Sequence, residues 1–75
     1  MDILAVIEKG ADGFYSIYSD RMLLNHGFGG FGSSVEEAKA DFMKSINEAK
    51  KMIVEVGGTV PNDAESIQVE FKYDF

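Results

Sequence analysis

His26 is the only histidine in the chain, and two hydroxyls, Ser33 and Ser34, follow it closely. Nucleophilic chemistry needs a hydroxyl or thiol held against an imidazole, with a carboxylate orienting the ring. Cysteine is absent, which removes thiol catalysis, zinc ribbons and a disulfide scaffold. Ser34 is better explained as a helix cap, so His26 reads as a loop residue beside a glycine run rather than as a catalyst. The run itself, Gly27-Phe28-Gly29-Gly30-Phe31-Gly32, has a superficial likeness to a dinucleotide loop. Such a loop requires a βαβ unit with an acidic residue about 20 positions on. Here two phenylalanines occupy the run, no phosphate-binding lysine accompanies it, and the chain is too short for that fold. An irregular strand, whose small residues admit bulges or close approach, is the expectation.

Glu36, Glu37 and Asp41 suggest a metal site, but no facing group of ligands accompanies them. Their position at the start of a helix, where the dipole favours negative charge, accounts for them. Neither a metal nor another cofactor is expected. Phe14, Tyr15, Tyr18, Phe71, Tyr73 and Phe75 could stack bases on an open sheet face. Without a frame of Arg and Lys, core or dimer packing is the simpler expectation for them. Ala40, Met43 and Val54 form a secondary helical shoulder that reads as a partner face or as ordinary surface.

The elements that must position these residues follow from the hydropathy pattern. Residues 3–8 are apolar on both faces, Ile3/Ala5/Ile7 and Leu4/Val6, and read as a central strand. Gly10 to Gly13 carry turn chemistry, and Asp12-Gly13 is a hairpin signal. Residues 14–19 then return antiparallel, and 27–32 supply a third strand at a sheet edge. Arg21 to Leu24 either extend a strand or form a short turn. Ser34 to Glu37 have capping-box spacing, with Ser34 and Glu37 expected to satisfy orphan amides reciprocally. Val35, Ala38, Phe42, Ile46, Ala49, Ile53 and Val56 make one helical stripe, with Lys50 and Lys51 near the end and Gly57-Gly58 as the stop. After a polar connector with the only proline, residues 66–75 alternate strictly, Ile67, Val69, Phe71, Tyr73 and Phe75 sharing one face.

The order β-β-β-α-β implies an α+β fold. A right-handed helical crossover lays the last strand parallel to the first, giving a four-stranded mixed sheet in the order 3-2-1-4 with one long helix on one face. One helix about 10 Å wide cannot cover four strands spaced about 4.8 Å apart. Apolar sheet surface therefore stays open, and a homodimer or higher oligomer is expected to close it.

Composition bounds the function. The 75 residues form a single domain, 1–75, and a chain of this size buries only roughly 60% of its unfolded surface. A large enclosed active site is therefore not expected, and the chain reads as no enzyme. Seven basic against 13 acidic residues give a net charge of −6. That balance opposes phosphate-backbone binding, so nucleic acid is not an expected partner, and it favours a basic one. Residues 1–9 carry an acid at Asp2 and a short apolar run, neither a signal peptide nor a membrane span, so a soluble cytoplasmic protein is expected.

The segments ILAVIEKGADGFYSIYSD, Gly27 to Gly32 and SSVEEAKADFMKSI together resemble the HicB-like antitoxin domain family. Glu8, Gly10, Asp12, Gly13, Tyr15, Tyr18, Ser34, Val35, Glu36, Glu37 and Ala38 stand at the matching positions, and Val60-Pro61 resembles the family's proline after the helix. The resemblance implies a partly RNase H-like β-β-β-α-β fold without catalytic carboxylates. It further implies oligomerisation and inhibition of a small basic, HicA-like toxin that degrades mRNA. On that reading the chain masks the toxin's RNA-contacting surface with the edge of its sheet and with acidic residues, the candidates being Asp12, Asp20, Glu36, Glu37 and Asp41. Two features depart from the family: residues 19–27 replace its Pro-Asp-Leu-Pro-Gly-Cys segment, and no basic DNA-reading region is present. The alternatives are an RNA-binding module using an aromatic sheet face and an orphan structural dimer module.

Overall fold

The computed structural model describes residues 1–23 and 26–75. Leu24, the last residue of the stretch read as strand or turn, and Asn25 lie outside them. Strands β1 (Asp2–Lys9), β2 (Tyr15–Leu23) and β3 (His26–Gly32) precede helix α1 (Val35–Glu55); a short 3-10 turn (Asn62–Ala64) leads into β4 (Gln68–Asp74). The sheet order is β3-β2-β1-β4, with β1 antiparallel to β2, β2 antiparallel to β3, and β1 parallel to β4. The α+β class, the mixed sheet and the single helix are as the hydropathy pattern dictates. No helix among the described residues is long and apolar enough to cross a membrane.

One face of the sheet is the core. Ile3, Ala5 and Ile7 of β1, Ile17 and Leu23 of β2 and Phe28 of β3 are buried under Ala38, Phe42, Ile46, Ala49 and Ile53 of the helix. Phe42 sits at the centre, edge-on to Phe28 at 6.4 Å and to Phe71 at 5.9 Å between ring centroids. The buried residues follow the expected stripe except at its ends: Val35 is half-buried, and Val56, which caps the helix, is 84% exposed. Ser34 accepts the Glu37 amide hydrogen at 3.1 Å, but the reciprocal half of the capping box is missing. The Glu37 carboxylate instead accepts from the Ser33 hydroxyl. The expected basic complement to the helix C-terminus is also absent: the last turn holds no basic residue, and Lys51 pairs with Glu55 at 4.0 Å in solvent. Termination comes from the backbone. Gly57 adopts φ +83°, its amide bonds to Val54 and the Gly58 amide to Ile53, which completes a Schellman motif.

The helix packs chiefly on β3. A methyl group on Gly30 would stand 2.4 Å from the Ala38 carbonyl oxygen, and one on Gly32 would stand 2.6 Å from Glu37 Cβ. The glycine run thus serves close helix approach. The bulge lies elsewhere, in β2, where the register with β3 shifts between Tyr18 and Met22. There the Asp20 carboxylate accepts the Leu4 amide at 3.1 Å, replacing the ladder carbonyl that the bulge has carried away. This bond lets β2 run on to Leu23, four residues beyond the expected return strand.

Candidate functional site

Strand alternation assigns the second sheet face. With Ile3, Ala5 and Ile7 beneath the helix, Asp2, Leu4, Val6 and Glu8 point the other way. Register sets Gln68, Glu70, Lys72 and Asp74 of β4 beside them, and Ser16, Tyr18, Gly29 and Phe31 on the opposite flank. Among the described residues no layer covers this face: Tyr18, Met22 and Phe31 are exposed, and Leu4 and Val6 are half-buried. Phe14 stacks on Phe31, with centroids 5.3 Å apart and planes 9° from parallel. The result is an apolar strip, Leu4, Val6, Tyr18, Met22 and Phe31, bordered by the carboxylates of Asp2, Glu8, Asp20, Glu70 and Asp74 with Lys72 among them. Beside Leu4 the surface dips into an open hollow of about 430 Å³ lined by Asp2, Asp20, Gln68 and Glu70.

Tyr18 joins the strip to its border. Its hydroxyl donates to the Glu8 carboxylate, which holds the phenol above its ordinary value; partial desolvation and the charges of Glu8 and Asp74 act in the same direction. The side chain thus stays a neutral donor into the alkaline range. Such a face can accept hydrogen bonds and cations while covering apolar groups.

The five acids expected at a partner surface are divided by the fold. Asp12 accepts the Phe14 amide at 3.0 Å within the β1–β2 turn. Glu36 and Glu37 lie at the same end of the sheet, since the helix starts just beyond Gly32, which pairs with Tyr15. Asp41, one helical turn on, accepts the Phe31 amide at 3.0 Å. Asp20 is at the opposite end, beside Leu4. Asp12, Asp20 and Asp41 each spend one carboxylate oxygen on a backbone amide, while Glu36 is exposed in the first turn. The border carboxylates Asp2, Glu8, Glu70 and Asp74 were not singled out by sequence reasoning. The signal for Glu70 and Asp74 is the polar half of the β4 alternation, and that for Asp2 and Glu8 is the parity they share with Leu4 and Val6 in β1.

The aromatic residues do not share a face. Phe14, Tyr18 and Phe31 belong to the open side, whereas Tyr15, Phe71 and Tyr73 lie on the helix side, where Phe75 meets Tyr15 edge-on at 5.4 Å. Lys39 lies over the Phe71 and Tyr73 rings at 4.8 and 5.0 Å. Phe14, Tyr15, Tyr18, Phe71, Tyr73 and Phe75 therefore do not assemble into one base-stacking platform. His26 opens β3 and Ser33 lies past its other end, a separation of roughly 23 Å for seven extended residues. The fold does not bring the imidazole to either serine. Among the described residues no group of three or more His, Asp or Glu side chains is placed to hold a metal ion.

Compared with models of known protein families, with curated proteins and with solved structures, the chain matches none of them.

Proposed function

We propose that this chain is a non-catalytic binding protein of the HicB-like antitoxin type, cytoplasmic, which self-associates and masks a small basic toxin that degrades mRNA. The observation that carries the reading is the open sheet face, an apolar strip of Leu4, Val6, Tyr18, Met22 and Phe31 within a border of carboxylates. The resemblance of the strand, turn and capping segments to that family and the net charge of −6 agree with it. Lysines and arginines that hold RNA on the toxin would meet Asp2, Glu8, Asp20 and Asp74, and the strip would cover the apolar surface between them. The free oxygens of Asp12 and Asp41, together with Glu36 and Glu37, extend the negative surface around the helix start.

The test is native co-purification from the source cell at low and high salt, read by mass spectrometry. The expected result is a small basic protein in stoichiometric amount, loosened by salt and lost on charge reversal at Asp2 and Glu8. Association unchanged by salt and by those reversals would overturn the electrostatic mechanism. Recovery of the chain with itself alone would overturn the toxin.

A further inference from the structure

The two edges of the sheet are treated oppositely. On β3 the backbone amides that point outward include those of Gly29 and Phe31, and the helix closes both: Gly29 donates to the Ser45 hydroxyl at 3.2 Å and Phe31 to Asp41 at 3.0 Å. Asp41 and Ser45 are one turn apart on the helix, so one face of it seals this edge against strand addition. On β4 the Gln68 amide bonds to the Met1 carbonyl at 2.9 Å, toward β1. Backbone groups alternate sides along a strand, so Gln68, Glu70, Lys72 and Asp74 face β1. Val69, Phe71 and Tyr73 then aim their amides and carbonyls away from the sheet. Among the described residues no side chain accepts from these amides as Ser45 and Asp41 do on β3. The helix-side surface at the same edge is aromatic and partly open: Lys39 lies over the Phe71 and Tyr73 rings, yet Phe71 is only half-buried, Tyr73 52% exposed and Phe75 62% exposed.

We propose that β4 is the self-association edge, pairing antiparallel with β4 of a second copy about a twofold axis at Phe71. This rests on the self-association part of the function proposed above and not on the toxin. The sequence of the strand, Gln-Val-Glu-Phe-Lys-Tyr-Asp, is complementary to its own reverse. With Phe71 opposite Phe71, Glu70 faces Lys72 of the second copy, Lys72 faces Glu70, and Val69 faces Tyr73. The residues whose backbone points outward are then the ones that exchange hydrogen bonds, Phe71 with Phe71 and Val69 with Tyr73. Glu70 and Lys72 fall in the close, non-hydrogen-bonded pairs, where opposite charges are favourable. Slipping the axis to Glu70 or to Lys72 sets like charges face to face. Moving it to Tyr73 keeps a Lys72–Asp74 pair but overlaps only residues 71–75. The second copy is therefore the occupant this edge fits best, and the product is a continuous sheet with both helices on one side and both outer edges sealed by β3 and its helix.

The experiment is a charge-swap cycle read by sedimentation equilibrium, with circular dichroism confirming that each variant folds. Glu70 and Lys72 lie on the open face away from the core, so neither substitution disturbs helix packing. Glu70→Lys and Lys72→Glu each replace two attractive cross-strand pairs by two repulsive ones, expected to weaken dimerisation by about tenfold or more, and the double variant is expected to restore it. A dimer that neither single variant weakens overturns the β4 interface while leaving self-association standing. A chain that stays monomeric at every concentration overturns both. Loss or recovery of a toxin in co-purification bears on neither outcome.

Discussion

The seating of the helix on β3 yields a prediction that can be worked from distances. Gly27, Gly29, Gly30 and Gly32 lie in one strand, and alternation sends Gly30 and Gly32 under the helix and Gly27 and Gly29 to the open face. A methyl at Gly30 would lie 2.4 Å from the Ala38 carbonyl oxygen and 2.8 Å from Phe42 Cβ; at Gly32, 2.6 Å from Glu37 Cβ and 2.7 Å from the Ala38 amide nitrogen. At Gly29 the nearest contact is the Ile17 carbonyl at 3.5 Å, and at Gly27 nothing lies within 4 Å. Carbon–carbon contacts relax near 3.5–4.0 Å, so Gly30→Ala requires the helix to retreat by roughly 1 Å, enough to forfeit a quarter to a half of each contact's attraction. Overpacking of this kind costs about 1–3 kcal/mol, against a gain of about 0.4–1 kcal/mol from stiffening the unfolded chain. Thermal unfolding of a domain this size moves by about 4–8 °C per kcal/mol, so Gly30→Ala and Gly32→Ala should lower the midpoint by roughly 5–15 °C. Gly27→Ala and Gly29→Ala should leave it unchanged or raise it by up to about 8 °C. Chain concentration is held fixed, because any self-association would itself move the midpoint. Amide exchange gives a second reading, since a retreating helix withdraws Asp41 and Ser45 from the Phe31 and Gly29 amides, which then exchange faster. If Gly30→Ala and Gly32→Ala unfold no earlier than their two neighbours, the glycines do not set the position of the helix.

Two further outcomes follow from single hydrogen bonds. Ser34→Ala removes the acceptor for the Glu37 amide and should cost about 1 kcal/mol in urea unfolding, with Ser34→Asp retaining most of it; equal losses in the two variants would contradict the cap. Tyr18, read by the absorbance of its phenolate against Tyr18→Phe, should titrate above the ordinary phenol value of about 10, and Glu8→Ala should bring it down. Because the folded value is raised, the associated stability is complete below pH about 10 and fades as pH climbs through the folded value. A Tyr18 titration that Glu8→Ala does not move would refute the assignment.

What could be read from the sequence divides by range. The buried stripe from Ala38 to Ile53, the Ser34 cap, the Gly57-Gly58 stop and the alternation of β4 are local patterns, and each emerges in place. The strand order followed from them, because a hairpin and a helical crossover leave few arrangements. Contacts between distant residues were not legible. Nothing around Asp20 announces that its carboxylate will meet the Leu4 amide and hold a bulge. Ser33 as a rival partner for Glu37 is invisible to a motif that scores only Ser34 and Glu37. The aromatics looked alike in sequence, but the pairing registers, not residue type, set Tyr18 and Phe31 on one side and Tyr15 and Phe71 on the other. The same parity explains the border carboxylates. Residues 3–8 read as apolar on both faces and β1 is central, yet only one of those faces received a helix.

That missing second layer connects the glycine run to association. A helix about 10 Å wide has to choose where on the sheet to lie. Gly30 and Gly32 allow it to sink onto β3, where Asp41 and Ser45 then come within reach of the edge amides. Coverage gained at β3 is lost at β4, so Phe71 stays half-buried and Tyr73 half-exposed beneath Lys39, at the edge whose outward amides meet no acceptor among the described side chains. Larger residues in place of Gly30 and Gly32 would hold the helix off β3 and loosen the seal on that edge. Pairing at β4 could then continue through β3, and a closed dimer would become an open ribbon of sheets. On the proposed β4 pairing, the glycine run, which reads in sequence as an irregular strand admitting close approach, would limit self-association to two copies and leave both open faces on the same side of the joined sheet.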